Sequence, residues 1–407
     1  MHRRALLKSA AAVTLAACTS APVSEGEAVP VPEEALPPGD FDVALYRALA
    51  ADAGNQFVSP YSVSSAFALV YPGAGGQTAA EIRRVFGYDA SALVQARHTD
   101  ALAQNLQSER GGSEFNVANA AWVERTMALR SEYARIIRDE LGSTIEQVDF
   151  IANQASALRQ INAWAARETR DRIPQILTEP DPMRRLVLTN AVYFKGKWTD
   201  PFAAANTYDG EFHTHERARV PARLMRQLTN ARYFETETFQ AAEFDYDEGA
   251  FALAVFLPRS PTGLAAFERD LTGGRLTDYL GRFASAERPR LDLTLPKVEV
   301  RGDYKLKQQL QSLGIREAFE DSADLDAMAD DPTLKISEVV HKTFLAIDEE
   351  GTEAAAVTAV DIVTTAAPAD PPPPPIEFKA DRPHFIVLYH KPTGARLFLG
   401  RIVTTAA

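Results

Sequence analysis

The sequence predicts one large α+β domain, and three observations carry the prediction. Helical patterns and short strands mix along the first part of the body, to about residue 170. From Leu186 onward strands dominate, beginning with the long apolar run from Leu186 to Phe194. The chain then closes on a hairpin, His384 to His390 and Arg396 to Val403, around the turn Lys391-Pro392-Thr393-Gly394. Five consecutive prolines, 371–375, precede that hairpin and suggest a boundary, but only about thirty residues follow them, too few for a domain. Those strands must complete the preceding body. A length of 407 residues alone points to about two or three domains; the hairpin argues for one, from Phe41 to Ala407.

Ahead of that body stands an export signal, residues 1–17. Arg3, Arg4 and Lys8 frame a start that continues as an Ala-rich apolar run to Ala17, too short to span a bilayer. Leu15-Ala16-Ala17-Cys18 resembles the bacterial lipobox, in which the cysteine is acylated and the chain is cut just before it. Arg3-Arg4-Ala5-Leu6-Leu7-Lys8 also resembles a twin-arginine signal, with Leu6 where Phe is commoner. Thr19 is not the Asp that in that family retains a lipoprotein at the inner membrane, so outer-membrane anchoring through Cys18, on the periplasmic or surface side, is the expectation, with an extracellular location as the other. Residues 18–40, rich in Pro, Glu, Ala and Ser, read as a solvated tether.

Within the body, Asp40 or Asp42 is placed to cap a first helix to about Ala53, with Phe41, Leu45, Ala48 and Leu49 on one side. Ser59 caps a helix that starts at Pro60, ends at the Gly73-Ala74-Gly75-Gly76 stretch and is followed by another from Thr78. A strand is expected from Phe115 to Val123, and a helix from Gln154 to Arg170 with Leu158, Ile161, Trp164 and Ala165 on one face. From Trp198 to Pro258 the chain reads as short strands and turns, Ala250 to Leu257 among them. Arg290 to Leu295 reads as a strand, Tyr304 to Leu313 as a helix closed by Gly314, and Ile336 to Asp348 as a strand. Two polar residues sit on apolar strand faces and need buried partners: Asn190, with Leu186, Leu188, Val192 and Phe194, and His341, with Val339, Thr343, Leu345 and Ile347.

The stretch after Glu349-Glu350-Gly351 mixes signals. Glu and Ala favour helix, and the later Val, Thr and Ile favour strand. At period two, Thr352, Ala354, Ala356, Thr358, Val360 and Ile362 share one uncharged face. Glu353, Ala355, Val357, Ala359, Asp361 and Val363 share the other. A proline-rich, exposed-loop composition follows directly.

Composition bounds the function. The chain is 46% hydrophobic and 24% charged, which gives ample material for a large core. A net charge of -12, with no basic block, argues against a general nucleic-acid binder. Cys18 is the single cysteine, so no intramolecular disulfide forms.

Five separated blocks, in order, resemble the serpin family. They are Asn55-Gln56-Phe57-Val58-Ser59-Pro60-Tyr61-Ser62; Leu188-Thr189-Asn190-Ala191-Val192-Tyr193-Phe194-Lys195-Gly196-Lys197-Trp198; Leu295-Pro296-Lys297-Val298; Ile336 to Gly351; and Arg382-Pro383-His384-Phe385 with Phe398-Leu399-Gly400-Arg401. The resemblance covers nearly the whole body. It implies a serpin fold of three β-sheets and about eight or nine helices, with an exposed reactive-centre loop over residues 349–376. It implies a suicide-substrate inhibitor of serine proteases. The protease cuts the loop and forms a covalent acyl-enzyme complex; the cut loop inserts as a new central strand and drags the protease with it.

The resemblance also assigns residues. Gly351, Thr352, Glu353, Ala354, Ala355 and Ala356 form the hinge, and the small inward residues Thr352, Ala354 and Ala356 are the inhibitory pattern. Ser59, Ser62, Asn190 and His341 form the shutter beneath the central strands. Trp198, Lys297 and Glu349 form the breach, where the loop first enters, with Lys297 paired to Glu349. Counting fifteen residues on from Glu350 places the reactive bond at Thr365-Ala366, with neighbouring bonds from Val363 to Ala367 still open. No Lys, Arg or aromatic residue lies between Glu349 and Ile376, which suits a small apolar specificity pocket, elastase-like or subtilisin-like. The proline-rich part from Pro368 to Pro375 departs from the family's length.

The alternative is a non-inhibitory serpin, a chaperone or binding protein, against which the permissive hinge argues. A hydrolase using Ser59, Ser62 or Ser65 with His341 is disfavoured, because no G-x-S-x-G elbow occurs. His213-Thr214-His215 has no further ligand set for a metal. The expected partners are a target serine protease and, through Cys18, a membrane, with no nucleic acid, no cofactor and a monomeric chain.

Overall fold

Three β-sheets form the framework, and the longest strands lie where the sequence is most continuously apolar. The structure, a computed structural model, describes residues 40–50, 54–107, 114–143, 145–214, 216, 218–246, 249–352 and 373–405. Cys18, Glu353, Ala354, Ala355, Ala356, Thr365, Ala366 and His215 lie outside the described residues.

Helix α1 (Phe41–Leu49) buries Phe41, Val43, Leu45, Tyr46 and Leu49. It is shorter than expected, and neither acid caps it: Asp40 makes no side-chain cap bond, and Asp42 turns inward to pair with Arg396. Strand β1 (Gln56–Val58) leads into α2 (Pro60–Phe67), where Pro60 needs no intrahelical N–H partner and the Ser59 hydroxyl accepts from the Ser62 amide at 3.3 Å. Then come α3 (Gly76–Phe86), α4 (Ala92–Gln107), β2 (Glu114–Glu124), α5 (Ser131–Glu140), β3 (Ile145–Val148) and α6 (Gln154–Glu168).

The second half opens with β4 (Leu186–Lys197), followed by β5 (Thr207–His213), β6 (Arg219–Asn230), β7 (Arg232–Glu235), β8 (Phe239–Tyr246) and β9 (Phe251–Pro258). Of these β6 is a twelve-residue strand, longer than the short strands expected there. Helices α7 (Leu264–Asp270) and α8 (Gly273–Phe283) precede β10 (Arg290–Pro296) and β11 (Val298–Lys305). The expected helix from Tyr304 is cut back to α9 (Lys307–Ser312), because Tyr304 and Lys305 pair with His341 and Val340. Tertiary pairing here overrides local helix preference. The chain ends with β12 (Ile336–Ile347), β13 (Gly351–Thr352), β14 (Ile376–Lys379), β15 (His384–His390) and β16 (Ala395–Ile402).

One six-stranded sheet has the order β1-β16-β15-β9-β8-β7, so the C-terminal hairpin does complete the body. A four-stranded sheet has the order β14-β10-β6-β5. The third has the order β11-β12-β4-β2-β3, with β13 laid on β4. Its parallel pair β4–β12 is covered on both faces, as parallel strands generally are. On one face Val187, Ala191 and Val340 pack with Ala157, Ile161 and Ala165 of α6. On the other, Leu186, Leu188, Val192 and Phe194 enter the main core.

Candidate loop-insertion site

The seam between β4 and β12 is closed below and parted above. Its rungs run from Ile336–Leu186 to Phe344–Tyr193. Beyond that β12 continues to Ile347 against β11, and β4 continues to Lys197, but the two no longer pair. At this open end the chain leaving β12 turns back and lays β13 antiparallel on β4, with Gly351 opposite Lys197 and Thr352 opposite Gly196.

The turn is held from both sides. The Asp348 carboxylate accepts the amides of Glu350 (3.0 Å) and Gly351 (3.2 Å), and the Asp348 amide donates to the Gly351 carbonyl at 2.9 Å. The Trp198 indole N–H donates to the Asp348 carbonyl at 3.0 Å. The Phe202 and Trp198 amides donate to the carbonyls of Glu349 (2.8 Å) and Glu350 (2.9 Å). Gly351 has φ +149°, and a Cβ there would lie 2.0 Å from the Gly196 carbonyl oxygen, so glycine alone permits this approach. Thr352 is fully buried, its hydroxyl 2.8 Å from the Tyr246 hydroxyl, and Tyr246 stacks on Trp198 with ring centres 4.4 Å apart. Burial pushes the Tyr246 phenol far above its ordinary range, so it stays neutral.

Lys297 and Glu349 meet beside this turn. The Lys297 Nζ lies 2.5 Å from one Glu349 oxygen, and Thr207 donates to the other at 2.8 Å. Burial alone would raise the Glu349 carboxyl; the bonds from Lys297 and Thr207 outweigh it and hold the group below its ordinary value.

Lower down, Ser59, Ser62, Asn190 and His341, the residues expected as a shutter, meet at the seam itself. Asn190 and His341 are directly opposed on β4 and β12. His341 Nε2 accepts the Ser59 amide N–H at 3.0 Å, so its Nδ1 carries the proton and donates to the Asn190 side-chain carbonyl. The Asn190 amide donates to Ser62 Oγ and to Asn119 Oδ1, and the Ser59 hydroxyl donates to the Leu397 carbonyl at 2.6 Å. Burial lowers His341 to about 3, so the ring is neutral at physiological pH.

Asn119 and Tyr246 were not singled out from the sequence. Asn119 carried the same signal as Asn190, a polar residue alternating with Phe115, Val117, Ala121 and Val123. Tyr246 comes from another sheet and had no local signal. His341 is no base for a serine nucleophile. It faces the Ser59 backbone rather than its hydroxyl, and Ser65 donates to the Tyr61 carbonyl at 2.9 Å. Among the described residues no three His, Cys, Asp or Glu side chains converge as a metal site.

The family model for Serpin (serine protease inhibitor) matches residues 38–405. An uncharacterized serpin-like protein of Thermococcus kodakarensis is 35% identical over 94% of this chain and 87% of its own. Leukocyte elastase inhibitor A of Mus musculus is 33% identical over 89% of this chain and 97% of its own. The crystal structure of the thermophilic serpin Tengpin in the native state matches with a TM-score of 0.80 and 28% identity, covering 90% of this chain and 92% of that one. The chain therefore belongs to the serpin family, whose members, relatives named as inhibitors among them, are protease inhibitors rather than catalytic enzymes.

Proposed function

We propose that this serpin is a suicide-substrate inhibitor of serine proteases with a small apolar specificity pocket, elastase-like or subtilisin-like. The observation that carries the reading is the hinge. Gly351 and Thr352 already form the first antiparallel pairs on β4, at the point where β4 and β12 have stopped pairing. An arm continuing from Thr352 with small residues at Ala354 and Ala356 meets no steric or charge obstacle on its inward face. Cleavage at Thr365-Ala366 would release that arm to extend β13 downward, while the acyl-enzyme is carried along before water reaches it. A relative whose name states elastase inhibition fits the pocket expected from Val363, Thr364, Thr365, Ala366 and Ala367.

The export signal and Cys18 complete the proposal: a monomeric inhibitor tethered by lipid to the cell envelope, in the outer membrane, with residues 18–40 as spacer. Labelled palmitate should enter the chain at Cys18 and globomycin should block its maturation; an unlabelled mature product overturns the anchor.

For inhibition, incubation with elastase-like, subtilisin-like and trypsin-like proteases, read by denaturing gel and mass spectrometry, should give a covalent complex with the first two and release of a fragment beginning at Ala366. Thr352→Arg places a charge where no surface is exposed and should convert the inhibitor into a cleaved substrate. Clean cleavage of the wild type with full protease activity retained would support a non-inhibitory serpin instead.

A further inference from the structure

Next to the turn at the open end of the seam lies a cavity of about 170 Å³, walled by residues of the segment Trp198 to Phe202 and of strands β6, β8 and β10. Its apolar wall is largely aromatic. Trp198, Phe202, Phe244, Leu293 and Leu295 are all buried, and Trp198 meets Phe244 edge to face with ring centres 6.5 Å apart. The space suits one aromatic ring, since an apolar cavity of about 150 Å³ holds benzene.

The acidic residues of the wall are not equivalent. The Glu243 carboxylate is matched by Arg232 at 2.6 Å and by the Tyr389 hydroxyl. Asp245 is matched by Arg288 at 3.0 Å and by Lys391. Asp200 is exposed, and its carboxylate accepts only from the Thr229 hydroxyl; among the described residues no cation pairs with it. The unmatched charge of the cavity is therefore negative. An anion would be repelled by it, and a neutral ring would leave it unused. The chemistry that fits is one ring carrying an ammonium group on a short chain, the ring among the aromatic side chains and the cation on Asp200.

The same segment grips the turn. The Trp198 indole donates to the Asp348 carbonyl, and the Trp198 and Phe202 amides donate to the carbonyls of Glu350 and Glu349. Trp198 is held by the turn as much as it holds it: when the turn leaves, the indole loses its acceptor and the cavity loses a fixed wall. A ligand that needs that wall binds the held turn better than the released one, and so shifts the equilibrium toward the held state.

We propose that this cavity binds a single-ring arylalkylammonium ion and that its occupant steadies the turn at the open end of the seam. The binding requires neither loop cleavage nor protease inhibition, and it is read without either.

The probe is phenethylammonium, titrated into the full chain to about 10 mM and followed by ligand-observed NMR and thermal melting. It should bind saturably and, at about ten times Kd, raise the melting midpoint by about 2 °C. At that concentration hydrogen exchange at the Glu350 and Gly351 amides should slow by about tenfold. 3-Phenylpropionate, with a ring but the opposite charge, and butylammonium, with the charge but no ring, should each bind at least about tenfold more weakly. Asp200→Asn keeps an acceptor for Thr229, so it should leave the melting midpoint of the free chain unchanged while weakening phenethylammonium by about fivefold. Ala231→Leu, at a buried position on the wall, fills the space of the ring and should abolish binding. No saturable binding over that range, or undiminished binding in a folded Ala231→Leu, overturns the site. Equal binding of 3-phenylpropionate, or undiminished affinity in Asp200→Asn, overturns the role of Asp200. Binding that leaves exchange at the turn unchanged overturns the coupling.

Discussion

The middle and the top of the seam are both polar, but they are built from different interactions. In the middle, Ser59, Ser62, Asn190 and His341 have no exposed surface, and every bond there is between neutral groups. At the top, an ion pair with side chains 38% and 15% exposed steadies a turn whose carbonyls are held by Trp198 and Phe202. In a low-dielectric interior a satisfied neutral network is expensive to break, because each freed group is left without water. A partly exposed ion pair contributes little. The seam is therefore strong where it is closed and weak at its open end, which favours opening from the top downward.

The largest expected effect lies in the middle. Asn190→Ala removes the partner of Ser62, Asn119 and His341 at once, leaving buried groups unsatisfied. It should cost about 2–4 kcal/mol of native stability and advance spontaneous loop insertion or polymerisation on warming. Thermal unfolding with native gels checks this. A midpoint within a degree of wild type would mean that the network does not hold the seam.

The two regions should also separate by pH. His341 is held near 3 and takes up its proton in the unfolded chain at about its ordinary value of 6.5. Between those values the unfolded state binds more protons. The stabilisation is thus complete above about pH 6.5 and falls by roughly 1.4 kcal/mol per pH unit on acidification. His384, buried and lowered to about 4, adds a slope of the same sign. Glu349, held below its ordinary 4.5, contributes only in more acid solution. His341→Gln should roughly halve the pH dependence of the unfolding midpoint between about pH 6 and 5. An undiminished slope would place the acid sensitivity outside the Ser59–Ser62–Asn190–His341 network.

How much of this was legible follows the range of each interaction. The period-two pattern located β4 and β12, and a polar residue on each apolar face located Asn190 and His341. Ser59 was legible as a helix cap, but the hydrogen bond its backbone N–H donates to His341 was not, because capping is local and that contact spans most of the chain. The start of α9 falls three residues later than the local pattern predicts for the same reason: Tyr304 is committed to β11 by pairing that no local window contains. The hinge alternation was clear in the sequence. That its first two residues already sit on β4 depends on Gly196 and Lys197, more than 150 residues earlier.

The smallest effect on stability, and the sharpest contrast with the middle, belongs to Glu349→Lys. The substitution removes the carboxylate that Lys297 and Thr207 share and sets two cations against each other. With Lys297 more than a third exposed, solvent screens the repulsion, and the cost to the native state should be about 1 kcal/mol. The bonds that the Trp198 indole and the Trp198 and Phe202 amides donate to the turn's carbonyls do not involve the Glu349 side chain and should keep the turn in place. What changes is the rate at which the turn lets go. A small fall in melting midpoint should accompany a clear rise in polymerisation rate at elevated temperature, largest at low salt. If the variant polymerises no faster than wild type, or if salt makes no difference, the ion pair does not guard the entry point and the turn's backbone bonds alone do.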